Sequence, residues 1–307
     1  MPQKFEAEHL EFDRMGIFRE DYTSFLFDHI GLEPGMLIVE PGCGTGFLLR
    51  KIAKKQYSFG LLSRMSRKLH KKNRIIGIDI DPKLVHFGNE YVKFEGLSSV
   101  IDLKVGDVYN MSLVSNSADM AICHMLLCNI EEPLRAIKEM VRVTKKGGTL
   151  VAVEPDNSQN IYYYPKSERY TRLVQKANKF SIDGYKKVYG GDLSIGPKVP
   201  SLFLKTGLND IQLYGHLSIV LSCGSQLKSP GRLLTTKEKE LILGYNKKKW
   251  EEERKILSVA GIPKTEIDEI INYESKGINV LLEDSQNIRY DASVTAFPIY
   301  LTTGKKK

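Results

Sequence analysis

The chain has 307 residues, 42% of them hydrophobic and 27% charged, with a formal net charge of +8. This balance suits one large globular domain or a domain with an added cap, and it argues against a disordered or fibrous chain. No apolar run approaches the ~20 residues a membrane span needs. The N-terminus, MPQKFEAEHLEFDRM, has no apolar signal core, so the reading is a cytoplasmic protein. Its four cysteines (Cys43, Cys123, Cys128, Cys223) form no C-x-x-C pair and no zinc-type spacing, which predicts reduced thiols and no metal.

In chain order, residues 1–30 read as helical, with Phe18, Tyr22, Phe25, Leu26 and Ile30 near helical spacing. The Glu33-Pro34-Gly35 turn follows. A short apolar run, Met36 to Val39, predicts a buried parallel strand that enters a glycine-rich turn and then a helix from Phe47 to Lys54. Further strands are predicted at Ile75–Ile78, Ile101–Val105, Ala118–His124 and Thr149–Val153. Helices fall between them. The clearest spans Pro133 to Val143, with Leu134, Ile137, Met140 and Val141 as its apolar stripe and Gly147-Gly148 as its stop. Strands alternating with helices imply a parallel α/β sheet with right-handed crossovers. Beyond residue 156 a helix is expected at 166–188, and strands at Asp210–Leu221 and Ser293–Thr302. About sixty-five mostly helical residues between those strands read as a cap.

The strongest local signal is Glu40-Pro41-Gly42-Cys43-Gly44-Thr45-Gly46. Glycines let a ligand approach the backbone, and the following helix start offers free N–H groups. Dinucleotide enzymes usually show G-x-G-x-x-G, whereas here glycines stand at 42, 44 and 46 and Phe47 takes the third-glycine place. The E-x-G-x-G-x-G pattern resembles the first motif of class I S-adenosylmethionine-dependent methyltransferases, in their small-molecule, ubiquinone-biosynthesis-type branch. Ile76 to Asp81 resembles the second-strand motif, Gly106-Asp107-Val108 the third, and Asp119 to His124 the fourth strand. Phe12-Asp13-Arg14 resembles the helix that folds over the cofactor, and Ala296 to Tyr300 the last antiparallel strand.

The resemblance implies a Rossmann-like, seven-stranded, mostly parallel sheet with its last strand antiparallel. It implies S-adenosyl-L-methionine as cofactor and S-adenosyl-L-homocysteine as product. The implied cofactor-binding residues are Glu40, Gly42, Cys43, Gly44, Gly46, Asp79, Ile80, Asp107, Val108 and His124, with Asp79 on the ribose hydroxyls and Asp107 on the adenine amino group. Expected domains are a lid at 1–30, a cofactor-binding domain at 31–224 and 291–307, and a cap at 225–290. His124 and Glu154, at the carboxyl ends of strands four and five, are candidate catalytic groups: base for His124, base or substrate anchor for Glu154. Asp156 is read first as a helix cap. The aromatic run Ile161 to Tyr164, with Tyr185 and Tyr189, is a candidate acceptor surface, against ordinary packing; Trp250 is read as packing in the cap.

From Pro41 to Ile78 there is no acidic residue, while ten Lys or Arg lie between Arg50 and Arg74. This basic insertion is either a solvated helix face or a contact for RNA, an anionic membrane or an acidic partner. Three functional readings stay open: a methyltransferase for a small-molecule acceptor, an RNA or protein methyltransferase docking through the insertion, and a non-catalytic cofactor-binding protein.

Overall fold

The structure, a computed structural model, describes residues 7–62, 75–165, 167–222, 236–283 and 293–307. In chain order the elements are α1 (Ala7–Ile17), α2 (Glu20–His29), β1 (Ile38–Pro41), α3 (Phe47–Leu62), β2 (Ile75–Asp79), α4 (Pro82–Phe94), β3 (Ile101–Val105), β4 (Ala118–His124), α5 (Pro133–Val143) and β5 (Thr144–Pro155). They continue with β6 (Ile161–Tyr163), α6 (Glu168–Tyr189), α7 (Val199–Lys205), β7 (Asn209–Ser222), α8 (Thr236–Ala260), α9 (Lys264–Glu283) and β8 (Ser293–Lys305).

Two compact units emerge. The first comprises residues 1–155, 195–216 and 299–307; the second comprises 156–194 and 217–298. In the first, β3-β2-β1-β4-β5 run parallel, and β8 joins β5 antiparallel through Pro155↔Ile299 to Thr149↔Lys305. β7 pairs with β8. The sheet has eight strands rather than the seven expected, because Ile161–Tyr163 forms the short β6, antiparallel to β8 at 294–296. Three residues are too few to show a period in sequence, which hid this strand.

The central strands β1, β2 and β4 are buried along nearly their whole length, as expected of parallel strands covered on both faces, whereas the edge strand β3 alternates buried Ile101 and Leu103 with exposed Asp102 and Lys104. Val39, Ile76, Ile78, Ala121, Cys123, Ile137, Met140 and Leu150 are among the residues of the main core. α5 has the predicted bounds, but its fully buried stripe is Ala136, Ile137, Met140 and Val143, with Leu134 and Val141 only half-buried at its margins. The N-terminal region is two helices: Arg19 leads into α2 in an extended conformation.

In the second unit α6 packs on α8 and α9 around Tyr170, Ala177, Leu257, Ile262, Ile267 and Ile270. Arg169 reaches Glu269 with both Nε (2.7 Å) and a terminal nitrogen (2.8 Å), and Lys176 pairs with Glu266. Among the described residues, no helix is long and apolar enough to cross a membrane.

Candidate functional site

β1 delivers the glycine turn to the carboxyl edge of the sheet. Gly42, Gly44 and Gly46 all have positive φ (67°, 55° and 71°), a conformation that L side chains rarely adopt. The turn is tied to the neighbouring strand. Cys43 N–H donates to the Ile78 carbonyl (3.1 Å), and Gly44 N–H donates to Asp79 Oδ2 (2.8 Å). Asp79 Oδ1 accepts from the Asp81 amide. Burial pushes the Asp79 carboxyl up from its ordinary range, and the amides of Asp81 and Gly44 hold it back. Gly106 N–H donates to the Asp79 carbonyl (2.9 Å), which brings the Asp107 loop beside it, and Asp107 Oδ1 accepts from Tyr109 N–H. The structure thus brings together the turn, Asp79 and the start of the Asp107 loop. Ile80 is exposed beside them, and Val108 is half-buried against the core.

Glu40 lies at the foot of the turn. Its side chain is buried, and its Oε2 has no hydrogen-bond partner among the described residues. Desolvation pushes its carboxyl well above the usual range; Arg14 opposes that shift, and Asp79 adds to it. Cys43 beside it is a buried free thiol raised by the same desolvation. A closed glycine cradle with an unsatisfied buried carboxylate oxygen fits a ligand that carries a cationic or hydrogen-bond-donating group.

His124 ends β4 and is 2% exposed. Arg14 on α1 donates from Nη1 to its Nδ1 at 2.7 Å, and its Nε2 lies 2.6 Å from the Tyr22 hydroxyl on α2. Phe18 packs 5.0 Å from the imidazole and 5.1 Å from the Phe47 ring. Burial, then Arg14, holds the His124 pKa well below normal. Burial likewise pushes the Tyr22 phenol up.

Met125 follows with φ 52°, a left-handed conformation uncommon for its type. The kink turns three successive amides inward. Leu126 and Leu127 donate to Glu154 Oε1 (3.1 and 2.8 Å), and Cys128 donates to Oε2 (3.1 Å). Glu154 is fully buried, and desolvation pushes it up to about 7 against these amides. Its carboxylate binds a backbone nest rather than facing the crevice expected for a base or anchor. The reason is burial: a carboxylate out of water takes the nearest donors, and the kinked loop supplies them.

α1 is held on the turn by charge. Arg50 on α3 is 5% exposed; it donates to both Glu11 oxygens (2.6 Å each) and to Glu95 (2.6 Å), while Thr45 donates to Glu11. Lys54 also pairs with Glu95. Arg50, the first member of the basic insertion, is therefore an internal clamp and not a docking residue. Residues 63–74 of that insertion lie outside the described residues.

In the second unit Asp156 accepts from the Ser158 amide and caps a short turn. Tyr164 meets Tyr170 edge-on (4.6 Å), and Tyr170 stacks on Tyr273 (3.7 Å). Trp250 Nε1 donates to Glu274. Tyr185 and Tyr189 pair at 5.0 Å. These aromatics pack α6 against α8 and α9.

Sequence reading missed Glu11, Thr45, Arg50 and Tyr22 as site residues. The one usable signal was the helical spacing that placed Tyr22 on an apolar face.

Residues 39–152 match the model of a family described as "Methyltransferase domain". The chain is 31% identical over 156 residues to an uncharacterised 37.1 kDa protein in transposon TN4556 of Streptomyces fradiae, covering 50% of this chain and 41% of that protein. It is 27% identical over 122 residues to the demethylmenaquinone methyltransferase of Desulfitobacterium hafniense, covering 40% and 43%. The alignments thus span less than half the length of these two relatives. In fold it is similar to the YcgJ protein of Bacillus subtilis, with a TM-score of 0.53 at 12% identity, covering 94% of this chain and all of that one.

Proposed function

We propose that this chain, whose residues 39–152 match a methyltransferase-domain family, is a class I, S-adenosylmethionine-dependent enzyme that methylates a small-molecule acceptor at the carboxyl edge of its parallel strands. The observation that carries this reading is the buried Glu40 Oε2, left without a partner among the described residues at the foot of a glycine cradle.

S-adenosylmethionine supplies a methyl group on a cationic sulfur, and its leaving group departs neutral. Glu40 is suited to the ammonium of such a ligand, Asp79 to its ribose hydroxyls and Asp107 to its adenine amino group. The turn from Gly42 to Gly46, with Cys43, permits close backbone approach; Ile80 and Val108 flank it. His124 stands at the end of β4, and Glu154 shapes the loop after it. These residues hold and align. In an in-line displacement alignment supplies much of the rate.

A small acceptor is favoured because α1 and α2 close the end of β4 with buried rings. Tyr22 is 1% exposed and Phe18 is buried too. A polymer needs an open cleft there. The buried free thiols Cys43, Cys123 and Cys128 fit a reducing, cytoplasmic setting.

The test is incubation with methyl-labelled S-adenosylmethionine and fractionated cell extract. Label in the small-molecule fraction is expected. Label confined to RNA or protein would transfer the reading to a polymer acceptor. Homocysteine-product binding by calorimetry with no labelled fraction at all would make the chain a non-catalytic binder.

A further inference from the structure

The geometry points to Arg14 as the residue that fixes where the proton sits in the His124–Tyr22 pair, holding His124 as a hydrogen-bond donor rather than a base. This rests on His124 lying at the reactive end of the site, as proposed above.

A guanidinium has five N–H donors, no acceptor, and a charge it does not lose. Arg14 Nη1 stands 2.7 Å from His124 Nδ1, so Nδ1 contributes a lone pair to that bond. A neutral imidazole then carries its only proton on Nε2. Nε2 lies 2.6 Å from the Tyr22 oxygen, so the ring donates and the phenol oxygen accepts. The Tyr22 proton is turned away from the histidine.

Neither ring nitrogen keeps a free lone pair. A proton from an acceptor can reach His124 only after Arg14 withdraws from Nδ1. Among the described residues, the other titratable groups around the pair are His216 on β7, whose ring lies 5.4 Å from that of Tyr22 and whose Nε2 is 3.9 Å from Asp21 on α2, Glu154 on β5, which acts electrostatically on Tyr22, and Glu40 on β1, on which Arg14 acts. Arg14 Nη1 also donates to Met125 Sδ at 3.2 Å, so one nitrogen holds both His124 and the residue that follows it. Its helix is anchored separately, through Glu11 on Thr45 and Arg50. Replacing Arg14 therefore leaves α1 its main attachment.

The test is a long-range proton–nitrogen NMR correlation on protein with ¹⁵N-labelled histidine, the His124 signal being identified by its loss in His124→Asn. In the wild type the ring proton is expected on Nε2. Arg14→Lys, which also only donates, keeps it there, and so does Tyr22→Phe. Arg14→Met releases Nδ1: a Nδ1–H population appears and the His124 titration moves up by about 1–3 pH units, the range typical of losing an adjacent charge. A wild-type spectrum with the proton on Nδ1 would overturn the assignment. So would an Arg14→Met spectrum unchanged in both proton position and titration. The spectra require neither cofactor nor acceptor, so failed methyl transfer and a wrong proton position are told apart.

Discussion

Replacing Glu154 by Gln removes a buried charge while keeping the side chain's volume, and its effect on stability depends on pH. The carboxyl rises from 4.5 to about 7 on folding because the site is dry. Below 4.5 it is protonated in both folded and unfolded chains. Between the two values the folded chain binds more protons than the unfolded one, so stability falls as pH rises. Above about 7 the full cost applies. A rise of about two and a half units corresponds to roughly 3 kcal/mol. In Glu154→Gln the amide oxygen still accepts from Leu126 and Leu127, but its NH₂ meets the Cys128 N–H, which loses its acceptor. An unmade buried bond costs about 1–3 kcal/mol. The variant is therefore less stable than wild type at pH 5 and equal or more stable at pH 8. Urea midpoints measured from pH 4.5 to 8.5 read this crossing. Glu40 is raised in both proteins, so only the difference between the two curves reports Glu154. Parallel curves across that range would refute the desolvation argument.

Asp79→Ala should weaken S-adenosylhomocysteine binding by roughly 1–3 kcal/mol, the cost of unpaired polar groups; calorimetry checks this, and unchanged affinity removes the ribose assignment. Arg50→Met leaves Glu11 buried without its cation, at about 3–5 kcal/mol. Limited proteolysis should then cut within residues 7–29 faster than in wild type. Gly88→Ala places a Cβ 2.7 Å from the Thr45 carbonyl oxygen and 2.6 Å from Leu103 Cδ1. Overpacking of about 1–3 kcal/mol is expected, together with weaker S-adenosylhomocysteine binding because Thr45 lies in the glycine turn; the melting temperature and a ligand titration measure the two effects.

Much of the first unit was legible because its signals are local. β3, β4 and α5 have the bounds their apolar runs predict, since a buried strand or an amphipathic helix writes its period into adjacent residues. β5 extends further than expected, to Thr144 at one end and Pro155 at the other, because Thr144 pairs with Ala118 across a register shift and the ladder with β8 runs on to Pro155↔Ile299. The glycine turn was legible for the same reason: positive φ at 42, 44 and 46 strongly favours a residue without a Cβ.

Sequence by itself determined the strand–turn–helix that makes a cradle, the carboxylates at the ends of β1 and β2, and the succession of parallel strands along the chain. Tertiary structure alone decided what those residues touch. Arg14 and His124 are 110 positions apart and His124 and Tyr22 are 102, yet they share hydrogen bonds. Glu154 reads in sequence as a carboxylate facing a crevice, and in the fold it closes a nest of amides. Arg50 reads as part of a basic surface, and in the fold it is buried between Glu11 and Glu95. In each case the side chain's role follows from desolvation: a group removed from water takes whichever partner the packing sets within reach, and no short-range pattern records that partner.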